Sequence, residues 1–355
     1  PLVMPTLLAS SLLVFMRVFS DFGTPMLIGE GYKTFPVLLY SQFMGEVSTD
    51  DHFAAALCVI VIVITLVMFF LQKFIGNRLT YSMSALKPMQ SQKAKGLRNI
   101  LAHGFVYLVV LVAILPQLTV ITTSFLETRG ASYTGQFTLE NYKNILMPKN
   151  LPILSNTYLY GLTAILLIVV LGVLISYLTV RKKSVLTSIL DTLTMFPYII
   201  PGSVLGIAFL YAFNKQPLLL SGTAIIIIIS LCIRRLPYTI RSSTAIIGQI
   251  SPSIEEAAIS LGSTEAKTFL KVTVPMMLAG VLSGAIMSWI TLISELSSSI
   301  ILYTSKTQTL TVAIYVEVIR SNFGSAAAYS TILTVTSVLS LLLFFKLTGS
   351  EDISV

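Results

Sequence analysis

Long apolar runs alternate with short polar stretches along almost the whole chain. The runs cover residues 4–20, 53–71, 100–124, 156–180, 185–213, 218–233, 277–300 and 326–345. Most approach the roughly 20 residues that a helix needs to cross the hydrocarbon of a bilayer. The pattern predicts an all-α polytopic membrane protein with about eight transmembrane helices. Within 185–213, Pro197 and Pro201-Gly202 interrupt the run. Such breaks free backbone carbonyls, so Pro197, Pro201 and Gly202 are candidates for lining a pathway; a kink that serves only packing is the alternative.

One polar island stands out between two apolar runs, from Ser251 to Pro275. Ser251 suits an N-cap, Pro252 the first helical position, and Glu255 and Glu256 the positive first turns. Ile254, Ala257, Ala258 and Leu261 fall on one helical stripe, and Gly262 can take the left-handed conformation that ends a helix. Ser263 is then expected to cap a second helix, which Pro275 should stop. Ten residues of helix span about 15 Å, too short to cross a bilayer. This capped knob is expected to lie on a membrane surface and to dock another protein.

Composition agrees: of 355 residues 55% are hydrophobic and 11% charged, with a mean hydropathy of +0.87. The surroundings are therefore membrane lipid, and the net charge of +8 is read loop by loop instead of as a sign of nucleic acid. Lys73, Arg78, Lys87, Lys93, Lys95 and Arg98 form a linker with no acid between them, which should be cytoplasmic. Counting alternate loops from there puts fifteen Lys and Arg on the inner side against seven outside, and the knob at 251–275 inside. In that count Arg234 and Arg235 mark the cytoplasmic membrane boundary. Asp191, near the inner end of its run, is expected to pair with a cytoplasmic base.

The start of the chain also lies on the segment after the knob. Pro1 falls on Pro275, Ser20-Asp21 on Ser294-Glu295, Val37-Leu-Leu-Tyr40 on Val312-Ala-Ile-Tyr315, and Phe69-Phe70 on Phe344-Phe345. The repeat divides the chain into 1–75, the end of a first half with two crossings; 76–99, the basic linker; 100–348, a complete second half with six; and 349–355, a tail. It also leads to the expectation that a first copy of the knob and the crossings before it precede Pro1. Asp21 and Glu295 occupy equivalent positions near helix ends. They read either as two carboxylates flanking a path and attracting a cation, or as interfacial acids satisfied by serine hydroxyls or Arg17.

Catalytic chemistry is not indicated. The chain has no phosphate-binding G-x-x-x-x-G-K-[ST] loop, so ATP hydrolysis is expected in a separate subunit. His52 and His103 are far apart, and Cys58 and Cys232 lie in apolar runs without metal or redox spacing. No cofactor or resident metal is expected.

Glu256-Ala257-Ala258, three residues, Gly262, nine residues, then Val272-Thr-Val-Pro275 resembles the EAA loop of ABC-importer permeases, with valine at the two apolar positions before the proline. Phe196-Pro-Tyr-Ile-Ile-Pro-Gly202, Ile233-Arg-Arg-Leu-Pro-Tyr238, Glu295-Leu-Ser, Lys306-Thr-Gln-Thr-Leu-Thr-Val-Ala-Ile-Tyr315 and Asp21-Phe-Gly-Thr-Pro25 are similar to the fused two-domain permeases of ferric-iron importers. The resemblance implies the type I importer permease fold in a bacterial inner membrane. It implies an ATPase dimer that grips Glu255, Glu256, Ala257, Ala258 and Gly262 from the cytoplasm, and an extracytoplasmic binding protein that delivers ferric iron. Thiamine, phosphonate and polyamine permeases share much of this grammar. An ion-gradient secondary transporter is the rival from another class.

Overall fold

The computed structural model describes residues 4–29, 31–44, 51–78, 95–130 and 132–348. Most of the basic linker and the tail after 348 lie outside the described residues. Helix follows helix: α1 (Met4–Phe19), α2 (Gly23–Ile28), α3 (Phe35–Met44), α4 (Asp51–Arg78), α5 (Leu97–Ser124), α6 (Glu140–Ile145) and α7 (Leu151–Arg181). After α7 come α8 (Val185–Ile199), α9 (Gly202–Phe213), α10 (Ala224–Gln249), α11 (Pro252–Ser260) and α12 (Glu265–Thr268). A π-turn at Phe269–Thr273 leads into α13 (Val274–Ile293), followed by α14 (Ser299–Leu302), α15 (Leu310–Ile319) and α16 (Phe323–Thr348). A small antiparallel hairpin, β1 (Leu126–Arg129) with β2 (Ser132–Phe137), departs from the all-helical expectation between α5 and α6.

Among the described residues five helices are long and apolar enough to cross a membrane: His52–Gln72, Leu97–Ser124, Leu151–Arg181, Glu265–Ile293 and Phe323–Lys346. Helices α8 and α9 pass the same test together but meet at 110°. The break falls at Ile200 and Pro201, both extended, whereas Pro197 is accommodated inside α8. The two other expected crossings coincide with α1, of 16 residues, and with the first half of α10, whose remainder carries Arg234, Arg235 and Arg241.

The core is a three-helix contact of α7, α10 and α13, built on small residues as membrane helices require. Gly161, Ala164, Gly172 and Ser176 are buried along one face of α7. Thr239 of α10 sits between two glycines: a Cβ on Gly172 would stand 2.8 Å from its Cγ2, and one on Gly284 2.7 Å from its Cα. Thr239 Oγ1 and Ser288 Oγ lie 3.0 Å apart, and Ser288 donates to the Arg235 carbonyl at 3.0 Å, so polar bonds fasten α13 to α10. Helix α5 packs against α16, where Gln117 donates to Thr334 at 2.6 Å.

The order long helix, short helix, ten-residue helix, long helix occurs twice, in α1–α4 and in α13–α16. Tyr40 of α3 and Tyr315 of α15, which align in the repeat, both set their rings against the fully buried Phe22, with ring centres 5.0 and 6.2 Å from its own.

Candidate functional site

The knob forms as a pair of short helices, with local chemistry that differs in detail from expectation. Helix α11 ends at Leu261, Gly262 takes φ +90°, and the Gly262 and Ser263 amides donate to the Ile259 and Ala258 carbonyls at 2.9 and 3.1 Å. That is a complete Schellman ending, for which the glycine is needed. Ser251 makes no side-chain cap; its hydroxyl meets Ser253 at 2.7 Å. The cap of α12 is Thr264, not Ser263: it accepts from the Lys267 amide at 3.3 Å. Pro275 does not stop the chain, because helix continues from α12 through the π-turn at Phe269–Thr273 into α13, and this irregular turn falls just before the residue that lacks an N–H.

No residue of α11 is buried. Glu256, Ala257 and Gly262 are exposed, as are Ile254, Ile259 and Leu261, the last at 89%. The knob is nevertheless tied down by the end of α7. Arg181 Nε meets Glu255 Oε1 at 2.9 Å and its Nη2 donates to the Ile250 carbonyl at 2.8 Å. Lys182 reaches Glu265 at 3.1 Å, and the rings of Tyr177 and Phe269 lie 4.6 Å apart. The Lys182–Glu265 bond, and then the charge behind it, holds the Lys182 ammonium above its ordinary pKa. Glu255 and Glu256, adjacent in sequence, thus face opposite ways: one clamps, the other is offered outward.

A second cluster lies within the membrane-spanning body. Glu295, just past the end of α13, is 4% exposed and bridges Arg234 and Arg235 of α10. It also accepts from the Ser298 amide at 3.2 Å, and its own carbonyl receives the Thr311 hydroxyl at 2.8 Å. Whatever their depth in the bilayer, Arg234 and Arg235 turn into the protein. Helix α10 runs on through Pro237 to Gln249, and the two guanidiniums are drawn inside by Glu295. Gly202 belongs to the same cluster, for a Cβ there would collide with Arg234 Nη1 and stand 2.7 Å from Ser297 Cβ. Asp191 meets Arg241 at 3.3 Å, the base expected for it lying on α10.

Two cavities abut in this region. A small one of about 40 Å³ is lined by Arg17, Ser20, Pro197, Tyr198, Arg234 and Arg235, among others. A larger one of about 520 Å³ follows the last three turns of α10 from Tyr238 past Arg241 to Gln249, next to the knob. Met16 and Tyr198 line both. Between them Arg17 donates to the hydroxyls of Tyr198, at 3.3 Å, and Tyr238. Its guanidinium stands 5.1 and 5.8 Å from the two ring centres, within cation–π range.

The predicted path residues are thus only partly brought together. Pro197 lines the small cavity and Gly202 and Glu295 back its arginines, with Pro201 at the break beside them. Asp21 lies in the half-exposed turn after α1, lines neither cavity and makes no ion pair among the described residues. The sequence reading missed Arg17, Tyr198 and Tyr238 as a unit. An arginine inside the apolar run 4–20 was the available signal. Among the described residues no three His, Cys, Asp or Glu side chains gather as a metal site.

An exposed, clamped helix pair on a bundle of spanning helices with an internal cavity defines a membrane transport subunit. Residues 168–348 match the family of binding-protein-dependent transport system inner membrane components, and the chain belongs to it. It is a multi-pass inner-membrane protein. Over 360 residues it is 31% identical to a ferric transport system permease protein of Actinobacillus pleuropneumoniae, covering 99% of this chain and 52% of that one. A ferric transport permease of Haemophilus influenzae is 31% identical over 315 residues, 87% of this chain and 49% of that protein. The chain therefore spans about half the length of these curated relatives. A 2-aminoethylphosphonate transport system permease protein of Salmonella choleraesuis is 26% identical over 73% of this chain and 96% of its own length. Among solved structures, a bacterial ABC transporter that imports alginate shares the fold with a TM-score of 0.56 at 12% identity, over 71% of this chain and 96% of that one.

Proposed function

We propose that this chain is the membrane pathway of an ATP-driven importer for ferric iron, supplied by an extracytoplasmic binding protein and driven by a cytoplasmic ATPase dimer. The observation that carries the reading is α11, a helix with no buried residue that is nonetheless clamped to α7 through Arg181 and Glu255. A helix so exposed and so firmly held suits a lever. An ATPase gripping Glu256, Ala257, Ala258 and Gly262 would transmit its closure through the clamp and through α12 to α13. The larger cavity, ending beside the knob, serves as the vestibule on that side, and Pro201-Gly202 and the Glu295 cluster border the path above it. Residues 1–75 act as the end of a first permease half and 100–348 as the second, with the basic linker 76–99 and the tail 349–355 in the cytoplasm. The ferric assignment draws on the relatives of Actinobacillus and Haemophilus. The phosphonate permease of Salmonella keeps organic phosphonate as the second reading.

Replacing Glu256 and Gly262 together with alanine in the assembled transporter is expected to abolish ATP-dependent uptake and retention of the ATPase. Undiminished uptake with the ATPase still bound overturns the importer reading and favours transport driven by an ion gradient. Uptake of radioiron against labelled 2-aminoethylphosphonate by the intact system decides the cargo.

A further inference from the structure

The charges around the two cavities do not balance. Arg17, Arg234, Arg235 and Arg241 line them, and no acid among the described residues does. The acids bonded to these arginines are Glu295, shared by two of them, and Asp191 on Arg241. Among the described residues that sets four guanidiniums against two carboxylates: Arg234 and Arg235 are shielded beside Glu295, where fields are weakly screened, while Arg17 and Arg241 stand exposed at the cavity walls. Moreover, Arg235 is 9% exposed, and its Nε is buried without an acceptor among the described residues. A buried donor of this kind is costly unless a partner arrives. Arg17 is held between two phenol rings by its bonds to Tyr198 and Tyr238, so its planar fork is presented in a fixed place.

From this juxtaposition we propose that Arg17, Arg234 and Arg235, with Tyr198 and Tyr238, form an oxyanion-selecting site where the two cavities share lining residues. The cargo passes it as a species presenting oxyanion groups and not as a bare cation. Guanidinium forks and phenol hydroxyls are the donors that match phosphonate, phosphate or carboxylate oxygens. A naked trivalent cation would meet like charge there. Two cargoes satisfy this chemistry: a free organic phosphonate or phosphate, or a ferric ion enclosed by oxyanion ligands. The inference rests on the reading of the chain as a permease, and it names the form in which that permease's cargo crosses. Glu295 then acts as a counter-ion that positions Arg234 and Arg235.

The test is equilibrium binding to the full chain in lipid nanodiscs at constant ionic strength, with three probes: labelled methylphosphonate, ferric pyrophosphate, and the inert trivalent cation hexaamminecobalt(III). At least one oxyanion probe is expected to bind and hexaamminecobalt not to. Arg17→Gln is expected to weaken the oxyanion probe about tenfold, Arg17→Lys to recover part of that loss, and Tyr238→Phe to weaken it by a smaller factor. If Arg17→Gln does not fold, by its helical circular dichroism, Tyr238→Phe carries the test. Binding of methylphosphonate alone upholds the oxyanion site and overturns the iron assignment. Binding of ferric pyrophosphate alone upholds both. The proposal is overturned if no oxyanion probe binds, if hexaamminecobalt binds as well as the anions, or if neither Arg17→Gln nor Tyr238→Phe changes oxyanion binding.

Discussion

Helices α1–α4 and α13–α16 run through the same series of long, short, ten-residue and long helices, yet they treat the acid at the first turn in opposite ways. Asp21 stays half-exposed, without an ion pair among the described residues, whereas Glu295 is 4% exposed and held by two guanidiniums and a backbone amide. The backbone series is shared; what differs is the element packed against the turn. Helix α10 brings Arg234 and Arg235 to Glu295, and no described helix brings such a pair to Asp21. An acid at this position becomes structural only when its counter-ions are supplied from a distant stretch of chain.

The largest contrast should come from removing each acid's charge. Glu295→Gln strands two buried guanidiniums, and breaking a buried pair costs about 3–5 kcal/mol. Asp21→Asn should fall within about 0.5 kcal/mol. Thermal unfolding of the detergent-solubilised chain measures both, and comparable losses would break the comparison. The glycines beside the two acids sharpen it. Gly202→Ala must displace the pinned Arg234 side chain and should cost about 1–3 kcal/mol. A Cβ on Gly23 meets only Leu296 Cδ2, at 3.4 Å, so Gly23→Ala should stay within about 0.5 kcal/mol in the same assay.

Where the two segments touch, the equivalence itself can be tested. Tyr40→Leu and Tyr315→Leu each remove one of the two rings set against the buried Phe22, at about 0.5–1.5 kcal/mol apiece. The double variant should depart from the sum of the two, and strictly additive losses in this cycle would deny the coupling. The smallest effect belongs to the exposed pair Lys182–Glu265 at the knob, the opposite limit to Glu295. Lys182→Gln should leave the unfolding midpoint unchanged at neutral pH. The lysine pKa is raised in the fold, so whatever it contributes is present below its unfolded value of 10.5 and is lost as pH rises through the higher folded value. A contribution that persists above the folded lysine pKa would exclude this pair as the cause.

The apolar runs made most of the spanning helices legible, because length and polarity alone decide whether a segment can be helical in lipid. The broken helix was visible in Pro201-Gly202 and the knob ending in Gly262, since a proline after an extended residue and a positive φ are local demands. Features set by distant partners were not visible. That Arg234 and Arg235 turn into the protein was one of these, because only Glu295, sixty residues onward, draws them there. Arg17 gained its meaning from Tyr198 and Tyr238, which lie far along the chain. The β1–β2 hairpin and the passage of helix through Pro275 were missed for a subtler reason: both are short-range features decided by neighbouring backbone geometry more than by residue type.

That passage through Pro275 has a mechanical consequence. The π-turn at Phe269–Thr273 inserts one surplus residue into an otherwise continuous helix that joins the exposed knob to α13. Absorbing that residue into regular α-helix would turn everything on one side of it by about 100° and shift it by about 1.5 Å relative to the other. The joint is therefore a slack turn in a driveshaft: it stores one residue of play, so that a push at one end can arrive at the other as rotation.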